Sequence, residues 1–533
     1  MGASYKRDAK SLMAIALARQ GDEGELAAPK FSPIYTQDLQ LTQSVDCTHD
    51  IGIPVGKISA DNPTITLVSI SNAILTSMPQ FRQLTARDLL DNDWYKFTMQ
   101  YAGFAHGHAD TTVAYRLTDR KGSLNAAMAG LPSRAARAAA ADALASVLGE
   151  YAALRFEPGD ARFVAQELRK ILRSDGDSGA APPQPTLREY ETRLVARALD
   201  ADVAIDVAWD DAANALSVDY SGPWFATILF EVPFMALIVE FFNGLTVSDP
   251  PSDEYLLATL DPKLKAYAAC NANVTEFGTR RRFNQHSHFL ISSAIRDASS
   301  SFLNPPIYTS NVLLSKINNT PPRGTCAHEY FMFYLALART PAATASTLFP
   351  ALTLQTLVDS IKSALESWLQ IFSSVFALTD VYTTQVFFLA YKNLDASLQS
   401  RINYRCDSGD EFSYCAVIAD ILGRLGLNVE THLNEKLIMF SNSLSPSKVC
   451  QIQEKLEHDR QSGATAVPKA VSYGVGTNFT NDTQYKTMDI VIKLNWVDIN
   501  KERCYVFKLS DVKSKFVGNE SLREEALACV ANL

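Results

Sequence analysis

Gly324-Thr325-Cys326-Ala327-His328 sets an imidazole close to a helix-capping residue type, just ahead of an apolar run from Tyr330 to Leu337. With Thr325 as N-cap, His328 falls in the first helical turn, where free N–H groups and a partial positive charge favour an anion. A neutral imidazole beside a phosphate is a competent nucleophile; a structural histidine fits the same pattern. Arg280, Arg281 and Arg282 follow Gly278-Thr279. Guanidinium groups grip carboxylates and phosphates through paired hydrogen bonds, but consecutive side chains cannot all point one way. One or two would face a site while another pairs with an acid, and a salt-bridged surface is the competing reading. Asp407-Ser408-Gly409-Asp410 offers carboxylates for a ribose or Mg²⁺, with Asp380 able to join them, or else for helix capping. Gly474 and Gly476, within Ser472 to Thr477, let backbone approach a ligand closely, or make a plain turn. No GxxxxGK[ST] occurs, so any ATP used is not held by a P-loop.

Several of these groups sit where apolar runs stop. Phe376 to Asp380, Tyr404 to Asp410, Leu437 to Asn442 and Val471 to Thr477 each pass from apolar to polar or glycine residues. Asp380, Asp407, Asn442 and Thr477 are spaced by 27, 35 and 35 residues, room for one helix per interval. Between Asp410 and Gly426, for example, Phe412, Cys415, Ala416, Ala419 and Leu422 share a helical face, and Gly426 suits its end. Repeated βα units bring strand ends to one face, where chemistry is usually done. The pattern predicts an α/β enzyme.

The 533 residues, 47% hydrophobic and 20% charged, can bury the cores of two or three domains. A net charge of −9 argues against a broad nucleic-acid or anionic-membrane surface. Eight cysteines without a CxxC pair read as mostly buried, reduced thiols. Trp224 to Leu245 is interrupted by Glu231, Pro233 and Glu240, so it reads as buried core rather than a membrane span. Lys6 to Ala18 imitates a signal peptide only faintly, and the acidic residues that follow suit an exposed helix.

Four regions follow. Residues 1–80 are an extension of unassigned role, with a candidate strand at Thr64–Ile70. Residues 81–269 form a mixed α+β domain: a helix through Tyr95 to Phe104, a strand at Thr111–Leu117, alanine-rich helices split near Pro132, a loop over Ser174–Pro185, and a hairpin turning at Asp210-Asp211. Residues 270–484 hold the βα series. Residues 485–533 add a hairpin, Met488–Val497 with Arg503–Leu509, and a helix packing on the N-terminal domain.

Six motifs stand in order: Leu89-Leu90-Asp91-Asn92-Asp93-Trp94-Tyr95-Lys96, Ser221-Gly222-Pro223-Trp224, Phe277 to Phe283, Gly324 to Glu329, Arg405 to Asp410, and Tyr473 to Thr477. On these the chain resembles nicotinate phosphoribosyltransferases from about Leu84 to Glu520. The resemblance implies an irregular α/β barrel with a mixed α+β N-terminal domain completed by C-terminal strands. It implies a ligase-class reaction joining nicotinate to phosphoribosyl pyrophosphate in NAD biosynthesis, with ATP as co-substrate and Mg²⁺ as cofactor. By motif, His328 would be transiently phosphorylated, with Arg280 and Asp407 as further catalytic groups. Tyr95, Thr325 and Arg405 would contact nicotinate; Gly474, Gly476, Thr477, Arg282 and Asp410 would hold phosphoribosyl pyrophosphate. Metal ligands are not identified. A nicotinamide-using relative and an inactive ligand-binding member are the alternatives. The expected setting is the cytoplasm, with the nucleus also open, no nucleic-acid or membrane partner, and room for a homodimer. Asn442 departs from the acidic residue that similar members often carry after Phe-Ser, which puts a ribose or metal contact there in doubt.

Overall fold

The computed structural model describes residues 88–173, 186–196, 202–340, 349–531 and 533. The readings at 1–80 and 174–185 lie outside these residues. Thirteen strands occur among the described residues: β1 (Thr112–Asp119), β2 (Ala204–Asp210), β3 (Ala215–Pro223), β4 (Val274–Glu276), β5 (Tyr308–Thr309), β6 (Val375–Leu378), β7 (Ile402–Cys406), β8 (Leu437–Phe440), β9 (Ala470–Val475), β10 (Ile490–Ile499), β11 (Glu502–Tyr505), β12 (Phe507–Lys508) and β13 (Val517–Gly518).

Six of them form an all-parallel sheet in the order β5-β4-β9-β8-β7-β6. β6 and β8 are unbroken apolar runs because helices cover one face and the core fills the other. Their crossover helices include Thr384–Lys392, Tyr414–Arg424 and Pro446–Gln461. The last starts at a Ser445 cap whose Oγ accepts the Lys448 N–H, with Pro446 at the first helical position. Gly426, at φ 70°, follows the end of Tyr414–Arg424 as expected. The two sheet edges are bridged by an irregular segment instead of a strand. Arg323 N–H donates to the Thr309 carbonyl (3.0 Å) and Cys326 N–H to that of Phe376 (3.1 Å). The barrel is therefore closed by chain that lines its mouth.

The second sheet is antiparallel, ordered β11-β10-β1-β3-β2. β10 lies beside β1, so the C-terminal strand completes the N-terminal domain. The β2–β3 hairpin turns at Asp210-Asp211 as predicted: Asp210 Oδ1 accepts from the N–H groups of Ala212 and Ala213, and Asp211 pairs with Arg134 and Arg137. Asn500 and Lys501, both at positive φ, make the tight β10–β11 turn. Here the structure corrects the expected hairpin. β11 stops at Tyr505, and Phe507–Lys508 pairs instead with β13. Gly518 permits this at φ 124°, where an added Cβ would lie 2.7 Å from that of Phe507. The switch carries Lys508 away from the sheet and to the barrel mouth.

The apolar stretch from Trp224 is core: helices Trp224–Thr227 and Glu231–Thr246 are buried on nearly every side. Among the described residues no helix is long and apolar enough to cross a membrane. Cys270 and Cys450 form a disulfide, correcting the reduced-thiol reading for that pair; Cys326, Cys406, Cys415, Cys504 and Cys529 are free.

Arg282 turns into the core rather than toward a ligand. Its Nη1 and Nη2 donate to the two Asp91 oxygens, both at 2.7 Å, and its Nε donates to Glu240 Oε1 at 2.8 Å. All three side chains are at most 6% exposed. Replacing the cation leaves two carboxylates buried without it, which costs about 3–5 kcal/mol. Arg282→Met should therefore lower unfolding free energy by that order in urea denaturation, whereas Arg280→Met, which empties no ion pair, should change it by less than about 1 kcal/mol.

Candidate active site

A cavity of about 610 Å³ opens beyond the carboxyl ends of the parallel strands. Tyr95, Arg280, Thr325, His328, Arg405 and Asp407 all line it, as do Gly474, Gly476 and Thr477. Arg282 and Asp410 do not. Arg282 is the buried tie described above. Asp410 is exposed, accepts the Ser413 N–H at 3.0 Å, and lines a neighbouring cavity of about 350 Å³. Its capping role is local, so the carboxylate is spent on the turn after β7.

His328 begins the helix His328–Ala338, but the N-cap is Ala327, without a side-chain cap. Thr325 was expected to cap; instead its Oγ1 accepts from Arg405 Nη1 at 2.5 Å. Arg405 is held further by Ser441 Oγ, which accepts from Nε at 2.9 Å, and by Asp407 Oδ1, which accepts from Nη2 at 3.1 Å. The Phe277 ring lies 5.6 Å from the guanidinium carbon. Gly474 makes room for that ring: a Cβ there would lie 2.5 Å from Phe277 Cδ2.

The imidazole is set by Asp380. His328 Nε2 lies 2.8 Å from Asp380 Oδ1; the other oxygen accepts from Ser408 Oγ (2.7 Å) and Ser510 Oγ (3.0 Å) and forms an ion pair with Lys508 Nζ (3.0 Å). Donation from Nε2–H leaves the lone pair on Nδ1. Burial, then the Lys508 charge, lowers the His328 pKa to about 4. Burial opposes ionisation of Asp380, but Lys508, His328 and Ser408 outweigh it and hold the carboxyl well below its usual range. The site thus keeps a neutral imidazole against an ionised carboxylate.

Asp407 is likewise held ionised against burial by Arg405 and Lys508. Its Oδ2 accepts no hydrogen bond among the described residues; Lys508 Nζ lies at 3.8 Å and His328 Nε2 at 4.0 Å. His328, Asp380 and Asp407 place potential ligand atoms within 4.8 Å of one another. Mg²⁺ prefers oxygen donors and completes its shell with water or phosphate. Asp407 fits that pattern better than Asp380, whose oxygens are committed.

The arginine triplet divides its labour. Arg280 lines the cavity with no ion pair among the described residues. Arg281 also lines it, pairing through Nη2 with Asp489 Oδ1 at 2.9 Å; burial and then Arg280 lower its pKa to about 10. Asn442 Oδ1 accepts from Lys515 Nζ at 2.9 Å and its Nδ2 donates to the Gly409 carbonyl at 3.1 Å, so it braces a lysine where an acid would pair with one. Residues that sequence reasoning did not assign complete the lining: Lys508, Lys515, Lys493, Ser441 and Asp93. Lys508 left one trace in the sequence, a lone charge inside Val506-Phe507-Lys508-Leu509.

Known proteins match this arrangement over both parts of the fold. Residues 90–239 match the nicotinate phosphoribosyltransferase N-terminal domain, and residues 272–525 the nicotinate phosphoribosyltransferase family. The nicotinate phosphoribosyltransferase of Desulforapulum autotrophicum is 33% identical over 327 residues, 61% of this chain and 75% of that one. The Methanosarcina mazei enzyme of that name is 26% identical over 463 residues, covering 81% and 95% of the two chains. In fold, the solved nicotinate phosphoribosyltransferase of Porphyromonas gingivalis is similar at a TM-score of 0.65 and 24% identity, covering 84% of this chain and 100% of that one. With both domains matched and the relative from Desulforapulum autotrophicum a third identical, the chain belongs to the nicotinate phosphoribosyltransferase family.

Proposed function

We propose that this chain joins nicotinate to phosphoribosyl pyrophosphate, forming nicotinate mononucleotide and pyrophosphate for NAD biosynthesis, and couples the step to ATP hydrolysis through His328. The observation that carries the reading is the neutral His328 held by Asp380 in the same cavity as the fixed Arg405–Thr325 pair. Nicotinate is flat and anionic. Arg405 offers it a charge that cannot rotate away, and Tyr95, at the start of helix Trp94–Ala105, offers an aromatic neighbour.

In the bond-forming step the pyridine nitrogen donates its lone pair to the anomeric carbon as the bond to pyrophosphate breaks. Positive charge develops on the ribose and negative charge on the leaving oxygens; Arg280 and Arg281, both lining the cavity, would neutralise the latter. Gly476 and Thr477, which line the same cavity, would offer backbone N–H groups to the sugar phosphate. A Mg²⁺ ion held by Asp407 would supply further charge neutralisation to the phosphates. For the ATP step, the Nδ1 lone pair attacks the γ-phosphorus and ADP leaves. The ring then carries a positive charge, with Nε2–H still on Asp380, and water later releases the phosphoryl group as phosphate. A cytoplasmic setting and small-molecule partners alone suit this chemistry.

Nicotinamide lacks the charge that Arg405 recognises, and losing a charge-assisted hydrogen bond costs about 1.5–3 kcal/mol. Chromatography of reactions with phosphoribosyl pyrophosphate, ATP and Mg²⁺ should show kcat/KM for nicotinate at least about tenfold above that for nicotinamide; the reverse preference would sink the substrate reading. His328→Ala should abolish ATP hydrolysis that depends on nicotinate while leaving slow ATP-independent product formation. Intact coupling in that variant rules out the phosphohistidine. Because the folded pKa of His328 lies below its ordinary 6.5, the unfolded chain takes up a proton between pH 6.5 and about 4 that the native site refuses. That group's share of stability is therefore full above pH 6.5 and lost as pH falls toward 4. NMR titration of labelled imidazoles should find His328 neutral down to about pH 4, rising in Lys508→Met; a midpoint at 6.5 or above contradicts the electrostatics.

A further inference from the structure

Glu276 ends β4 one residue before Phe277, and its carboxylate is buried behind the cavity wall, not exposed on it. Nothing in the reaction above uses it. Its Oε1 accepts the Gly278 N–H, its Oε2 accepts from Thr309 Oγ1 at 2.6 Å, and its backbone carbonyl accepts the Ser310 N–H at 2.9 Å. His288, also fully buried, brings Nε2 to 3.1 Å from Oε2, a close contact without hydrogen-bond geometry. One carboxylate thus ties together two loops from different βα units.

Both loops reach the cavity. The first carries Gly278 and Arg280, the second Ser310. Asp93 repeats the tie from the cavity side: its Oδ1 accepts from Thr279 Oγ1 and Ser310 Oγ, each at 2.8 Å. There is little slack between the clamps, since a Cβ on Gly278 would lie 2.2 Å from Thr480 Oγ1 and 2.8 Å from Glu276 Oε1. Arg280, with no carboxylate paired to it, depends on this backbone for its aim.

We propose that Glu276 is a positioning residue for anion binding: by spanning Gly278 N–H and Thr309 Oγ1 it locks the Arg280 turn to the Ser310 loop and directs Arg280 at the pyrophosphate group of the substrate. The identity of that anion rests on the proposed reaction; the clamp itself does not. What matters is reach, because a displacement of the order of 1 Å at a positioning group costs up to about a hundredfold in rate.

Reach and charge separate in two variants. Glu276→Asp keeps the charge but is one methylene too short to hold both loops. Glu276→Gln keeps the span, its amide oxygen accepting from Gly278 N–H and its NH₂ donating to Thr309 Oγ1. Calorimetric titration with inorganic pyrophosphate should find Glu276→Asp about tenfold weaker than wild type and Glu276→Gln within about threefold. Circular dichroism would confirm that both are folded, and in Glu276→Asp KM for phosphoribosyl pyrophosphate should rise with Kd and kcat should fall, because Arg280 also meets the charge that develops on the leaving oxygens. Wild-type affinity in Glu276→Asp, or equal loss in both variants, overturns the inference. Should Glu276→Asp not fold, Thr309→Val decides, since unchanged pyrophosphate affinity there overturns it equally. Failure of the wild type to make nicotinate mononucleotide would count against the proposed reaction and leave the pyrophosphate comparison standing.

Discussion

One buried ammonium fixes both ends of the site. Lys96 is fully enclosed between Glu231 and Glu329, and Lys493 takes the second oxygen of Glu231 at 2.6 Å. Glu329 is completed by the Tyr115 hydroxyl and by Trp224 Nε1–H, the latter at 2.9 Å. Two lysines and two glutamates cancel, so the network is tolerable in a low dielectric, whereas removing one member would strand a charge at about 3–5 kcal/mol. Lys96 directly follows Tyr95, and Glu329 directly follows His328. The network therefore spaces Tyr95 from His328. It also explains why the C-terminal strand must return to the N-terminal sheet: β10 is what delivers Lys493.

The cavity is built to hold anions, and its cations are kept available by giving them too few partners. Among the described residues, Asp489 is the one carboxylate paired with Arg281 at 2.9 Å, Lys121 at 3.5 Å and Arg120 at 4.0 Å. Burial lowers Lys493 to about 8 despite Glu231, another sign of a cation under-compensated in a confined space. Arg282 is the counterexample within the same triplet, fully compensated and so purely architectural. Local charge, concentrated by the walls, lets a chain of net −9 bind polyanionic substrates.

Much of this was legible because parallel strands buried on both faces leave continuous apolar runs. β6 and β8 were found that way, and β7 and β9 by the polar or glycine residues that end their shorter apolar stretches. β5, two residues long, and the strandless closure through Arg323 and Cys326 carry no periodicity to read. Within the site, residue types were legible and directions were not. Arg280 and Arg282 differ only in where a 3₁₀ turn over Thr279–Arg281 sends their side chains. Thr325 has the right type for a cap but lies two residues before the helix's actual N-cap. Asp380 was visible only as a polar strand end; its role depends on His328, 52 residues earlier. Cys270 and Cys450 are 180 residues apart, a pairing that spacing alone cannot supply.

Lys508 shows how one misplaced expectation hid a central group. Alternation assigned it to a continued hairpin; the switch to β13 makes it the cation shared by Asp380 and Asp407. Its charge acts in opposite senses on the chemistry of its neighbours. It favours the ionised carboxylates and disfavours a protonated His328, so the resting site holds a neutral imidazole beside its counter-ion. In the proposed ATP step, the same ammonium would face the new negative charge of the phosphoryl group while Asp380 would face a new positive charge on the ring. The pair that restrains the free histidine would thus be matched to the charges of the proposed reaction, which is what preorganised electrostatics demands.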